Sequence, residues 1–153
     1  MILHKVTEVS WYSVALMALT SIHHVYGAIV YHTPWRLHVL LLSVPVIILT
    51  LVLKGIFLRT GGTSAPVFWI FVVITLVPSI ALIGCYEGIY NHVLKNILFY
   101  GGADAGLLHT LFPPPKYEMP SDAWFEITGV LQGIVVIPLT NRFTRMTALY
   151  FNP

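Results

Sequence analysis

The chain has 153 residues, of which 57% are hydrophobic and only 9% are charged, and its formal net charge at pH 7 is +2. A soluble globular domain has about 25% charged residues, so the composition excludes a water-soluble domain, a disordered tail and a nucleic-acid-binding arm. The single cysteine, Cys85, excludes an internal disulfide and a zinc site built mainly of thiolates. The chain is therefore predicted to be a multi-pass integral membrane protein of a cell inner membrane or an equivalent membrane.

Four segments with almost no charged residues are each long enough for a transmembrane helix, which needs about 20 apolar residues. They predict spans over residues 9–31, 37–58, 65–90 and 122–141. Within these bounds the fourth span begins at Asp122 and contains Glu126, and the second and third spans contain Lys54 and Glu87. Together they predict an all-α integral membrane protein, a four-transmembrane-helix bundle that forms a single domain over residues 1–153.

The connections between the spans differ in length. The first two are short turns, whereas residues 95–121 form a long loop with a Gly-Gly pair and a triple proline. Such a long connection is expected to be a lid, a re-entrant flap or a docking surface. Ser121 or Asp122 is the expected N-cap of the last helix.

The distribution of Lys and Arg predicts the orientation of the bundle. Five basic residues lie on the side of the two termini and three on the opposite side, which favours cytoplasmic termini. The first side has Lys5, Lys54, Arg59, Arg142 and Arg145, and the other has Arg36, Lys95 and Lys116. The first turn and the long loop are then expected on the outer side.

Most histidines, and the acidic residues Glu87 and Glu126, fall at one end of this predicted bundle. The topology brings His23 and His24 of the first span to the outer end, together with Glu87 and His92 near the end of the third span and Glu126 at the start of the fourth. Ionisable groups at the centre of a membrane helix cost about 2.5–3.5 kcal/mol each on insertion scales and usually face the bundle interior. The outer end is therefore the predicted functional site.

Helix geometry limits how these residues can meet. His23 and His24 are about 100° apart around an α-helix, so one can point inward while the other lies along a flank. Glu87 and His92 are about 140° apart on the same basis. They are not expected to chelate one ion unless the helix is unwound there, so ligands are expected to come from different helices.

Two pairs of small residues predict close packing of the third and fourth spans. Gly84 and Gly88 flank Glu87, and Gly129 and Gly133 follow Glu126. Glycines at this spacing let helix backbones approach closely. The two carboxylates are then expected near each other, with a shared proton, a metal ion or an imidazolium between them.

The first functional hypothesis is a metal or haem site. Imidazole and carboxylate ligands suit Fe, Cu or Zn, and four-helix bundles hold such centres between facing helices. The predicted metal ligands are His23, His24, Glu87, His92 and Glu126. A haem would take axial ligands from His23 or His24 and from His92. This hypothesis predicts a membrane metalloenzyme or oxidoreductase with redox or hydrolytic chemistry.

The second hypothesis is a metal-free acid–base enzyme, such as an isomerase, that acts on a lipophilic small-molecule substrate. Glu87, Glu126 and Tyr90 are its predicted catalytic residues, because a buried carboxyl group with a neighbouring histidine suffices for proton transfer. A third alternative is a non-catalytic accessory subunit of a membrane complex. The expected partners are the lipid bilayer and, through the glycine pairs, a homo-oligomer or a larger complex. Cys85 is expected to be a buried, inert side chain.

Overall fold

The computed structural model describes residues 1–151, and every regular element in that range is helical. Four of the helices are long and apolar enough to cross a membrane. They are α1 over Ile2–Val30, α2 over Pro34–Arg59, α3 over Ala65–Tyr100 and α5 over Ala123–Phe151, and a short helix, α4, covers Ala105–Leu111. The first turns of α2, Pro34–Val39, are a 3-10 helix.

The four long helices coincide with the four predicted spans and extend beyond them. Helix α1 begins at Ile2, α3 continues to Tyr100 and α5 continues to Phe151. Charge-free segments underestimate helix length because a charged side chain does not end a helix. In the first turns of α1, for example, Lys5 and Glu8 form an ion pair at 2.7 Å.

Helix α3 changes its winding along its length. Ala65–Ile74 and Lys95–Tyr100 are α-helical, whereas Thr75–Leu94 has the i→i+5 hydrogen bonds of a π-helix. Pro78 lies near the start of this segment, and its ring clashes with the carbonyl group four residues earlier, which favours a wider turn. The wider winding changes the directions in which the side chains of Thr75–Leu94 point, and π-helical turns are frequent at functional sites.

Helices α3 and α5 pack against each other through their glycines. A Cβ atom on Gly88 would lie 2.4 Å from the backbone nitrogen of Gly133, and one on Gly84 would lie 2.1 Å from Val136 Cγ2. Any larger side chain at these positions would push the two helices apart. The predicted close approach of the third and fourth spans is confirmed.

The bundle has two ends of different composition. We call the end that carries both chain termini and the α2–α3 turn the termini end, and the opposite end the loop end. The space between the helices at the termini end is filled by Phe57, Phe68, Phe71 and Met146. The outer faces of the long helices are apolar, as is typical of membrane spans. The cytoplasmic location of the termini stays a prediction.

The connection between α3 and α5 crosses the loop end. It is shorter than predicted because α3 continues to Tyr100, and it contains α4, whose N-cap is Asp104. Residues 112–122 then return to the start of α5. The backbone N–H of Phe125 donates a hydrogen bond of 2.8 Å to Asp122 Oδ1, which confirms the predicted N-cap.

A candidate metal site at the loop end

Three helices bring the predicted site residues together at the loop end. Helix α1 contributes His23 and His24, α3 contributes Glu87 and His92, and α5 contributes Glu126. All of them are buried except Glu87, whose side chain is 14% exposed. The other histidines of the chain, His4, His32, His38 and His109, are exposed.

One carboxylate oxygen lies at the centre of the arrangement. Glu87 Oε1 is 3.4 Å from His24 Nε2, 3.6 Å from His92 Nε2 and 3.8 Å from His23 Nε2. The second oxygen, Oε2, accepts a hydrogen bond of 2.6 Å from Asn91 Nδ2. Asn91 therefore orients the carboxylate so that Oε1 faces the three imidazoles.

The wide winding of α3 explains how Glu87 and His92 meet. On an α-helix, residues five apart point in very different directions, so the sequence predicts that Glu87 and His92 lie apart. Both residues lie inside the π-helical segment, where each turn takes more residues and position i+5 comes closer to the face of position i. Glu87 and His92 therefore come close to each other because the helix is more widely wound here, which is the exception that the sequence-based prediction allowed.

Hydrogen bonds determine the tautomer of His23. Its Nδ1 lies 2.9 Å from Thr128 Oγ1. The hydroxyl of Thr128 donates to the backbone carbonyls of Trp124 and Phe125, at 2.9 and 3.0 Å, so its oxygen accepts from His23. We therefore assign the proton of His23 to Nδ1, which leaves a lone pair on Nε2 directed at the region of Glu87.

His92 has the same arrangement with a carboxylate as its partner. Its Nδ1 lies 3.0 Å from Glu126 Oε2, and a carboxylate only accepts hydrogen bonds. The Nε2 of neutral His92 then carries a lone pair toward Glu87. Carboxylate–histidine pairs of this kind orient imidazoles at metal sites and in proton transfer.

Several of these nitrogens are buried without a hydrogen-bond partner. Within residues 1–151, neither His23 Nε2 nor either ring nitrogen of His24 has one. The ligand atoms of His23, His24 and Glu87 all lie within 4.8 Å of one another, and these residues could hold a metal ion. Buried polar atoms normally find a partner, so this convergence is the unusual feature of the site.

Glu126 lies on the far side of His92 from Glu87. Besides His92, it accepts hydrogen bonds from Lys95 Nζ at 3.1 Å and from Asn96 Nδ2 at 2.8 Å. The imidazole of His92 thus lies between the two carboxylates, and the expected proton, metal ion or imidazolium at this place stays a prediction. Lys95 itself is only 2% exposed, because α3 continues past the predicted end of the span.

Neighbouring residues shape the positions of the imidazoles. The ring of His23 stacks on Phe125 with centroids 4.1 Å apart. The ring of His92 occupies the space that a side chain at Gly129 would take, since a Cβ there would lie 2.2 Å from the ring. The role of Gly129 is therefore to admit the His92 ring, whereas Gly88 and Gly133 bring the helix backbones together.

Tyr90, a predicted catalytic residue, connects α3 to the last residue of α4. Its hydroxyl donates a hydrogen bond of 2.8 Å to the backbone carbonyl of Leu111. A catalytic role of Tyr90 stays a prediction.

The expectation that Cys85 is buried is wrong, because its side chain is exposed. Lipid is as apolar as a helix interface, so a small thiol on the outer face of a span carries little cost.

A cavity of about 270 Å³ lies beside His24, Glu87 and His92. The connecting segment covers it: Glu118 accepts a hydrogen bond from Lys95 through its backbone carbonyl at 2.7 Å, and the hydroxyl groups of Tyr117 and Tyr86 are hydrogen-bonded. Burial raises the pKa of the Tyr117 hydroxyl, and the bond with Tyr86 raises it further. This hydroxyl is therefore protonated at neutral pH.

Sequence reasoning did not single out several residues of the site as functional. Thr128, Lys95 and Asn96 provide the hydrogen bonds that hold His23 and Glu126, and Arg36 lines the cavity. Thr128 is two residues from Glu126, and a search for hydrogen-bonding side chains along α5 could have found it. Lys95 reaches Glu126 because α3 continues to Tyr100. The composition of the sequence does not show how far this helix continues.

Comparison of the chain with protein-family models, curated proteins and solved structures finds no match.

Proposed function

We propose that this protein is an integral membrane metalloprotein that holds one first-row transition metal ion at the loop end, with His23, His24 and Glu87 as ligands. The observation that carries the proposal is the convergence of unpartnered, buried imidazole nitrogens on the Glu87 carboxylate. A cation between these atoms would be bound by His23 Nε2, by one ring nitrogen of His24 and by Glu87 Oε1. Without one, the lone pair that the assigned tautomer leaves on His23 Nε2 faces the Glu87 carboxylate oxygen at 3.8 Å inside the bundle, which is unfavourable.

The distances support a small, four-coordinate ion. Ligand atoms about 2.0–2.1 Å from a tetrahedral Zn²⁺ lie about 3.3–3.4 Å from one another. The separations of Glu87 Oε1 from Nε2 of His24 and of His23 are 3.4 and 3.8 Å, and the three ligand atoms all lie within 4.8 Å of one another, so an inward movement of the two imidazoles would complete the geometry. Two imidazoles and one carboxylate suit Zn²⁺ or non-haem Fe²⁺ and leave a coordination position for water or substrate.

The same geometry favours a single ion over haem. The ring centroids of His23 and His92 are 4.6 Å apart in an edge-to-face contact. Two axial histidines must leave room for a porphyrin between them, and rings in contact leave none. A Soret band in the purified protein would contradict this proposal.

His92 is proposed as the proton acceptor beside the ion. Its Nε2 faces Glu87 at 3.6 Å, and its Nδ1 is held by Glu126 at 3.0 Å. A histidine oriented by a carboxylate is the usual general base. With a cavity next to the ion, this pair supports an enzyme that acts on a lipophilic substrate, in which the metal supplies Lewis-acid or redox chemistry.

Metal binding to the purified, detergent-solubilised protein tests the ligand assignment. Elemental analysis and calorimetry with Zn²⁺ and Fe²⁺ should give one ion per chain. His24→Ala and Glu87→Gln should each weaken binding by about a hundredfold or more, because each removes one of three ligands, whereas His92→Ala should still bind one ion. His109→Ala, which changes an exposed histidine at the same end, is the matched control.

Two results would change the assignment. If the wild type binds no first-row metal in stoichiometric amount, the metalloprotein proposal is wrong. If His92→Ala loses metal as completely as His24→Ala, then His92 is a ligand and not the base.

A further inference from the structure

The cavity beside the metal ligands carries a buried cation with free hydrogen-bond donors. Arg36 is 5% exposed and lines the cavity. Its Nε donates to Thr33 Oγ1 at 2.8 Å, but its Nη2 has no hydrogen-bond partner anywhere in the described chain. A buried guanidinium with unused donors is suited to a planar or tetrahedral anion, which it can bind with two parallel hydrogen bonds.

Aromatic rings hold Arg36 in place. Its guanidinium carbon lies 4.9 Å from the centre of the Trp35 ring and 5.3 Å from that of Phe125. Phe125 in turn stacks on His23. The arginine is thus fixed next to the proposed metal ligands and is not free to turn toward water.

A carboxylate of the chain already lies in front of Arg36. Glu118 Oε1 is 3.6 Å from Arg36 Nη2, which is too long for a hydrogen bond. Glu118 belongs to the segment that covers the cavity, and its side chain is 31% exposed. It can therefore swing out and be replaced by a better-fitting anion from outside.

Three residues that line the cavity are also exposed on the outer faces of the helices. Trp35, Leu82 and Tyr86 line it and are 47%, 45% and 43% exposed. They come from α2 and α3, the helices whose outer faces are apolar. A ligand that reaches Arg36 between these helices comes from the membrane, so it has an apolar chain. With about 270 Å³, the cavity is below the usual range of ligand pockets and suits a head group with the first carbons of that chain.

We propose that the cavity binds an amphiphile with an anionic head group, a carboxylate or a phosphate, whose head lies between Arg36 and the metal ligands and whose apolar chain extends between α2 and α3 into the membrane. The proposal rests on the metal site for the chemistry done on this ligand. Its charge preference does not need the metal site: Arg36 provides the unpartnered donor, and Lys95 and Lys116 also line the cavity.

The test is the affinity of the metal-loaded protein in nanodiscs of neutral lipid for four probes: decanoate, decyl phosphate, decanol and acetate. The two amphiphilic anions should bind about tenfold more tightly than decanol, as expected for charge-assisted hydrogen bonds. Acetate, which lacks the chain, should bind far more weakly than decanoate. Decanol binding as tightly as decanoate would overturn the proposal, and so would acetate binding as tightly.

Two variants should change the affinity in opposite directions. Arg36→Gln should weaken decanoate binding and leave decanol binding unchanged, and Glu118→Gln should strengthen decanoate binding because it removes the competing carboxylate. Lys54→Gln, which removes a cation beside Trp11 at the other end of the bundle, is the matched control and should change nothing. If Arg36→Gln does not fold, Glu118→Gln decides alone: unchanged or weaker decanoate binding contradicts the proposal.

The metal content of each sample separates this proposal from the previous one. A protein that binds metal but shows no preference for anions refutes the anionic ligand and leaves the metal site standing. A protein without metal that still prefers decanoate, through Arg36, refutes the metal site and supports the anionic ligand.

Discussion

At the termini end, aromatic and aliphatic side chains fill the space between the four long helices. The ring centroid of Phe68 lies 3.7 Å from that of Tyr150, on which it stacks, and 5.8 Å from that of Phe57. At the loop end the same space is filled by imidazoles, carboxylates and a buried lysine. The interior of the bundle is thus apolar at the termini end and rich in ionisable side chains at the loop end.

Small hydroxyl groups separate the two ends. Ser13 and Ser79 are hydrogen-bonded at 2.7 Å, and so are Ser21 and Ser43. These pairs are neutral and satisfy each other across helix interfaces, as is common in membrane bundles.

Under the proposed function, the two ends divide stability and metal binding between them. In a membrane, where lipid is as apolar as leucine, helices associate through close packing and not through hydrophobic burial. The termini end provides such packing with apolar side chains. The loop end instead buries ionisable groups that must be mutually satisfied, and the proposed metal ion would satisfy several of them. Changes at the termini end should therefore affect stability alone, and changes at the loop end should affect metal binding.

The largest expected effect on stability comes from Phe68→Ala at the termini end. The change leaves a cavity beneath Tyr150 and Phe57 and should lower the free energy of unfolding by about 3 kcal/mol, the low end of the range for core phenylalanines, because lipid also solvates the ring in the unfolded state. Unfolding in mixed micelles measures this loss. The affinity of the folded fraction for metal should not change, and a parallel loss of affinity would break the separation of the two ends.

A smaller loss of stability is expected from Gly88→Ala, at the contact between α3 and α5. The added Cβ would lie 2.4 Å from the Gly133 backbone nitrogen, so the helices must separate, at a cost of about 2 kcal/mol. Because Gly88 neighbours Glu87, metal affinity should also fall, which calorimetry can measure.

The matched control for this variant is Gly55→Ala. A Cβ at Gly55 would have no atom within 4 Å in the described part of the chain. This variant should be neutral or more stable by about 0.5 kcal/mol, because alanine favours the helix. Equal destabilisation by both changes would mean that helix packing at Gly88 is not the cause.

The smallest expected effect on metal affinity comes from Thr128→Val at the loop end. Thr128→Val keeps the shape of the side chain but removes the acceptor for His23 Nδ1, so metal affinity should fall by about tenfold, as for other hydrogen-bond partners of ligating histidines. Thermal stability should also fall, because the Nδ1–H of His23 is left buried without an acceptor. Thr75→Val, which changes a fully buried threonine in α3, should leave metal affinity intact, and equal losses of metal affinity from both variants would contradict a specific role for Thr128.

Much of this arrangement follows from local properties of the sequence. Charge-free segments are read from composition alone, and they predict the four long helices. The glycine pairs predict the contact between α3 and α5, because close approach requires the absence of side chains at those positions. An antiparallel order of spans then suffices to place His23, His24, Glu87 and Glu126 at one end.

The tertiary structure decided which of these side chains meet. The wide winding of Thr75–Leu94 turns His92 toward Glu87, and the continuation of α3 brings Lys95 to Glu126. Both depend on how the helix is packed and hydrogen-bonded along its whole length, and residue spacing on an ideal α-helix predicts neither. The sequence alone therefore determines that ionisable residues gather at the loop end, because segment length and polarity decide where each helix begins and ends. The partner of each residue depends instead on helix rotation and winding, which are set only by the packing of the bundle.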